Sequence, residues 1–357
     1  MYAPEAPSRR ARRHGPARGL SIVELMIGIV VALLVGLAAA GSAIVFTAAQ
    51  RQGIGTGGVA TGNVNLISEI RNDAALAGLG FFGDNVLMCD SLNLSLDTTL
   101  VADGVPFAPL QVTRAGTNDQ LDVVYGTQVH SGAHVLLNAA SDGTSAELMS
   151  LLPVAPGQAV LLAPAVAGDP CTVRTVTAVT PSTDEAPQVL TFAAAGEHNE
   201  VAFGTPVVYP ERSRVALLGQ MRWHRYRLIG TDLTLERPME GGAAVLARNV
   251  LAFRVQYGIT DGTPGSTTVA SWQDAEGVDF AALDAATIGR VRAVRIGLVG
   301  RSPQREKPDA SGNCSASEAK PLLFGATVEP DVADWQCWRY RVATTVLPMR
   351  NVVMGIK

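Results

Sequence analysis

Residues 18–46 read RGLSIVELMIGIVVALLVGLAAAGSAIVF. A basic tail stops at Arg18, and the run from Leu20 to Phe46 carries a single charge, Glu24. A helix over these 27 residues rises about 40 Å, enough to cross a bilayer core about 30 Å thick. The run is too long for the core of a secretory signal, which is about 7–15 apolar residues, and such a core carries no acid near its start. A plain signal anchor explains the length but not the order Gly19-Leu-Ser-Ile-Val-Glu24. A carboxylate within hydrocarbon costs a few kcal/mol, so Glu24 calls for a partner.

The flanks give direction. Residues 1–19 hold Arg9, Arg10, Arg12, Arg13 and Arg18 against Glu5, a net +4. Positive charge beside a membrane helix stays in the cytoplasm, so everything after Phe46 is expected outside. The whole chain carries −4, so without that tail it carries −8. An acidic chain does not suit nucleic-acid binding through phosphate neutralisation. Its 357 residues accommodate an anchor plus one or two lobes. Charged residues at 17%, with 36 glycines and 20 prolines, suit a β-rich extracytoplasmic head better than a cytosolic enzyme.

Four cysteines in an exported chain imply two disulfides, with three possible pairings. Cys314–Cys337 is favoured because it closes the polar loop 301–320 just before the last strand; Cys89–Cys171 follows by elimination. The wide spacings do not resemble the C-x-x-C pairs of a zinc site.

Past Phe46 the helix is expected to continue through Gln52 and meet GIGTGGVATG at 53–62. Each Gly weakens a helix by about 1 kcal/mol relative to Ala, so this segment is expected to melt, kink or hinge. Periodicity resumes with Leu66, Ile67, Ile70, Ala74 and Ala77, a stripe suited to packing on a sheet, and Gly78 and Gly80 end it. From Asp119 onward strand signals dominate. Leu217–Leu228 and Leu233–Leu235 flank Ile229-Gly-Thr-Asp232 as a hairpin. Val250–Tyr257 alternates, placing Val250, Ala252, Arg254 and Gln256 on one face and Leu251, Phe253, Val255 and Tyr257 on the other. Val291–Leu298 and Trp338–Val346 also read as strands. The expected fold class is α+β: a long N-terminal membrane-spanning helix packed on a strand-rich antiparallel head. The expected segments are a basic leader at 1–19, a transmembrane helix at 20–46, a glycine-interrupted extension at 47–84 and a β-rich head at 85–357.

No motif for catalysis emerges. The chain has no G-x-x-x-x-G-K-[ST] loop, no G-x-S-x-G elbow, no H-E-x-x-H pair and no calcium loop. His130 and His134 flank a turn-like Ser-Gly-Ala. Trp223, His224, Arg225 and Tyr226 read as a strand with packed aromatics and solvent-reaching Arg or His. No catalytic residue, metal site or cofactor is expected.

Gly19 followed by Leu20, with Glu24 fifth in the apolar run, resembles the N-termini of the type IV pilin class. Asp73–Asp84, Arg248–Gly258, Arg292–Val299 and Tyr340–Asn351 follow in an order similar to the PilW-type minor pilins. The J-type pseudopilins of type II secretion share much of this plan. Residues 85–247 resemble no family.

The resemblance implies cleavage by a prepilin peptidase between Gly19 and Leu20 and N-methylation of Leu20. It implies that Glu24 is an assembly contact, pairing with the amine of Leu20 on a neighbouring subunit. Gly28, Ala32, Gly36 and Ala40 lie four apart, a small-residue seam for close helix packing. Implied partners are other minor pilins, the major pilin, the assembly platform, the peptidase and a tip adhesin. The head would sit in the periplasm on an inner-membrane anchor and later join the pilus. Two alternatives stay open: a type II secretion pseudopilin, and a signal-anchored extracytoplasmic enzyme or binding protein.

Overall fold

The computed structural model describes residues 22–83, 86–128, 134–165, 168–204, 207–263, 265–275 and 285–349. One helix runs Ile22–Leu76. It stays helical through the glycine run, so that run is not melted. Propensity is a weak prior: glycine raises the cost of a helix, but its N–H and C=O still close the backbone bonds. The chain divides into two compact units between Ile54 and Gly55, within that glycine run.

Two antiparallel sheets share the core that receives the end of the helix. The first has five strands in the order Ala243–Ala247, Asp232–Glu236, Met221–Ile229, Asn118–Gly126 and Leu110–Ala115. The second has four, in the order Ser271–Asp274, Val250–Ile259, Val291–Arg301 and Tyr340–Pro348. Leu66, Ile70 and Ala74 of the helix, with Ala77 just past its end, pack with Leu121, Val123 and Tyr226 of one sheet and with Phe253, Val255, Val294 and Ile296 of the other. These helical positions recur every three or four residues, so they form one stripe. Burying a Leu or Ile side chain stabilises by about 1.5–3 kcal/mol.

A second lobe is inserted into the first sheet. Gly126 registers directly with Met221, so residues 127–220 leave and return between two neighbouring strands. The glycines at this junction have steric reasons. A Cβ on Gly126 would lie 2.6 Å from the Leu218 carbonyl oxygen, and Gly219 sits at φ +73. The expected continuous strand from Leu217 to Leu228 is therefore two strands, Arg214–Gly219 and Met221–Ile229, in different sheets. The hairpin itself is present, with Ile229 opposite Asp232.

The excursion joins two earlier strands in a six-stranded sheet ordered Thr99–Pro106, Ser91–Leu96, Cys171–Thr175, Ala159–Ala163, Arg214–Gly219 and His134–Leu136, the first two of which precede the first sheet in sequence. It is antiparallel except where Cys171–Thr175 runs parallel to Ser91–Leu96. Ala159–Ala163 reads AVLLA and is buried throughout. Val160 and Leu162 face a core shared with a three-stranded sheet of Ala178–Thr180, Gln188–Thr191 and Ser145–Leu148. Leu161 faces the opposite core, which includes Phe81, Phe107 and Met221. A continuous apolar run is what a strand covered on both faces requires.

One face assignment also needs correction. In Val250–Ile259 the register shifts between Val250 and Ala252, a bulge against Val299 and Gly300. The extra residue puts Val250 in the same core as Phe253, while Leu251 and Ala252 turn to a small cluster around Val299 and Leu323. Strict alternation therefore fails at the first three residues and holds from Phe253 to Tyr257.

Ile70 is fully buried at the point where the helix meets both sheets. Ile70→Ala is expected to destabilise the head by about 2–5 kcal/mol in denaturant unfolding. A loss below about 1 kcal/mol would mean that the helix end is not a core element.

Candidate functional site

Two places on the chain carry chemistry beyond ordinary packing. The first is the helix from Ile22 to Ala40, a span of 19 residues long and apolar enough to cross a membrane. All its side chains are exposed, including Leu25, Ile27, Val30, Leu34 and Leu37. An exposed stripe of this size is not tolerated in water and needs lipid or other helices around it. Glu24 lies in its first turn. Gly28, Ala32, Gly36 and Ala40 are all exposed, and a Cβ at Gly28 or Gly36 would meet nothing within 4 Å. A neighbouring backbone could therefore approach closely along that line. Gly19 and Leu20 lie outside the described residues.

The second place is a buried polar joint where the helix enters the head. Asp73 follows Ile70 by three residues, so it lies on the buried stripe and is itself buried. A carboxylate there must have its lone pairs occupied. The Tyr125 hydroxyl donates to its Oδ1 at 3.2 Å, and the Tyr226 hydroxyl donates to Oδ2. His224 Nδ1 donates to the same Oδ2 at 2.5 Å. The far side of the His224 ring approaches Glu240, 3.9 Å from Nε2, and Arg222 also pairs with Glu240. Tyr226 and His224 come from Met221–Ile229, and Tyr125 from its neighbour Asn118–Gly126. One helical carboxylate therefore fixes two adjacent strands.

The strand side of the same sheet holds a second carboxylate, Asp119, also buried. It accepts from the Val255 amide at 2.8 Å and from Arg254 Nε at 3.2 Å, and it is ion-paired to Arg114, whose Nε lies 2.9 Å away. Burial pushes its carboxyl above the usual range, while the Val255 amide and the two guanidiniums pull the other way. This group ties the five-stranded sheet to the four-stranded one. The expected strand of packed aromatics is present at 223–226, and its His and one Tyr point to the helix joint rather than to solvent. A lone acid within an apolar helical stripe was the available signal for Asp73, and the expectations missed it.

The four cysteines form Cys89–Cys171 and Cys314–Cys337, and no free cysteine occurs. The first staples the segment before Ser91–Leu96 to the start of the parallel Cys171–Thr175 strand. The second ties the 302–320 loop to the short helical turn Trp335–Cys337 that precedes the last strand. Their loops of 82 and 23 residues stabilise by about 4 and about 3 kcal/mol through the unfolded chain. Among the described residues no group of three His, Cys, Asp or Glu could hold a metal ion.

The joint generates two expectations. Asp73→Ala leaves the Tyr125 and Tyr226 hydroxyls without their acceptor and is expected to cost about 3 kcal/mol. A double-mutant cycle of Asp73→Ala with Tyr226→Phe should give a coupling above about 0.5 kcal/mol; simple additivity would contradict the joint. The second concerns alkaline pH. Burial, then the charge of Asp73, raises the Tyr125 and Tyr226 hydroxyls well above their usual 10.0. Burial also raises Tyr257, and pushes Tyr209 up to about 12. The unfolded chain therefore loses these protons first. The stability they confer is intact below about pH 10 and falls as pH rises beyond it. Tyrosinate absorbance should lag in the native protein and rise together with unfolding. Smooth titration of all six tyrosines near pH 10, with the fold intact, would contradict this.

No curated protein sequence matches the chain. Among solved structures it is similar to a type IV-like pilin from Thermus thermophilus, at 9% identity over 81% of this chain and 96% of that one, with a TM-score of 0.34. The family model for type IV pilus-assembly protein W matches residues 225–351. That span runs from Arg225, inside the five-stranded sheet, through the whole four-stranded sheet. Over its C-terminal third, behind an apolar N-terminal helix, the chain matches the type IV pilus-assembly protein W family.

Proposed function

We infer that this chain is a minor pilin, a structural subunit that primes or caps type IV pilus assembly and takes no part in catalysis. The single observation that carries this reading is the exposed apolar helix Ile22–Ala40, with Glu24 in its first turn, in a chain whose C-terminal third matches a pilus-assembly family. Such a helix has two uses in sequence. It anchors the subunit in the inner membrane, and it then packs among the helices of neighbouring subunits. Glu24 would pair there with the new amine of Leu20 on a neighbour. In a low-dielectric bundle that attraction offsets several kcal/mol of desolvation. The seam of Gly28, Ala32, Gly36 and Ala40 would let the helices approach.

The size of the head supports a subunit present in few copies. Removal of residues 1–19 leaves 338 residues, most of them in a head with two lobes. A shaft repeats its subunit at close spacing, and a head of this bulk would crowd the lattice. Its partners would be other minor pilins, the major pilin and the assembly platform.

Gly19→Val should leave the precursor uncut, because the peptidase must approach a backbone without a side chain. Glu24→Ala should be cut normally yet fail to enter fibres. Mass spectrometry of the N-terminus and quantification of the chain in sheared pili read both outcomes. Trimming of the Gly19→Val variant to Leu20, or normal incorporation of Glu24→Ala, would sink the reading. So would finding this chain to be the most abundant pilin of the fibre.

A further inference from the structure

The five-stranded sheet buries one face against the helix, and its other face carries a row of polar side chains in register. Asp122 stands directly opposite Gln111 on one neighbouring strand and Arg225 on the other, and Arg225 stands opposite Glu236. Asp122 is buried and acts as a hub. Trp223 Nε1, Arg225 Nε and Gln120 Nε2 all donate to its carboxylate, each at 2.7 Å. One anion thereby fixes an indole, a guanidinium and an amide in a single arrangement. Here the three groups border an open cavity of about 250 Å³, with Gln111 and Thr113 on the same floor. Val105, Pro106 and Phe107, from the edge of the six-stranded sheet and just beyond it, form the apolar wall.

We propose that this groove binds a single neutral pyranose ring of a glycan. The volume suits one sugar ring rather than a drug-sized ligand, whose pockets start at about 300 Å³. The charges of Asp122 and Arg225 are paired with each other, so the floor offers hydrogen bonds without net charge. Gln111, Gln120, Thr113 and Arg225 between them supply donors and acceptors, as alternating hydroxyls require. The apolar wall suits the C–H face of such a ring, and the Trp223 indole, with the Arg225 guanidinium 5.7 Å from its centroid, borders the same groove. Because Asp122 holds its three neighbours before any ligand arrives, little side-chain freedom is lost on binding. The groove lies largely outside residues 225–351, so it belongs mainly to the part of the chain that the family match does not reach.

The test is saturation-transfer difference NMR on the full chain, held in a zwitterionic detergent with no sugar headgroup. The probes are methyl β-glucopyranoside, methyl β-galactopyranoside and N-acetylglucosamine. At least one should show transfer concentrated on one ring face, with an affinity on the order of millimolar. Trp223→Ala should weaken it by about tenfold or more. Thr113→Trp, at an exposed position, fills the groove without touching the hub and should abolish the signal while thermal unfolding stays unchanged. No transfer to any of the three probes would overturn the proposal. So would transfer that survives Thr113→Trp in the folded protein.

Discussion

Everything in the head depends on one packing event: the last turns of the long helix are buried between two antiparallel sheets. Leu66, Ile70, Ala74 and Ala77 supply the apolar contact, and Asp73 supplies the specificity. An apolar stripe alone can slide or rotate by a turn at modest cost. A buried carboxylate cannot, because its lone pairs are satisfied only by Tyr125, Tyr226 and His224 together. The helix is thus held in one register against the strands.

That core also explains where the chain tolerates elaboration. The strands Asn118–Gly126 and Met221–Ile229 lie side by side, and the inserted lobe leaves from one and returns to the other. An excursion between two paired strands leaves the register of both intact, so a large insertion costs the parent sheet little. The lobe has a core on each face of Ala159–Ala163, one of them shared with Val124 and Met221 of the parent sheet, and Cys89–Cys171 staples the excursion to the segment before Ser91–Leu96. The family match covers the four-stranded sheet and, from Arg225 on, part of the five-stranded one, and does not reach the inserted strands. The part of the chain that matches the family model and the part that does not therefore meet in the five-stranded sheet, at Arg225.

Much of this was legible in the residues, and the failures have physical causes. The apolar helix, the helical stripe at 66–77, the hairpin around Gly230 and the strands read at 250–257 and 291–298, which extend to Ile259 and Arg301, were legible in pattern and turn residues. The glycine run at 53–62 stays helical although propensity, which measures an isolated helix, disfavours it. The split at Gly219 was hidden because both halves are equally β-prone; only the third dimension shows that they belong to different sheets. The bulge at Val250 follows from the partner strand, which no local pattern contains. Asp73 was visible as an acid on an apolar stripe, but its partners lie 52, 151 and 153 residues away. The row through Asp122 likewise needs three strands to be aligned before it exists.

Amide hydrogen exchange on the intact protein tests the central claim most directly. If the end of the helix is a core element of the head, amides of residues 66–76 exchange as slowly as those of Val291–Arg301. Asp73→Ala should then speed both sets together. Exchange of residues 66–76 at the rate of a free peptide, while the sheet amides stay protected, would contradict the account.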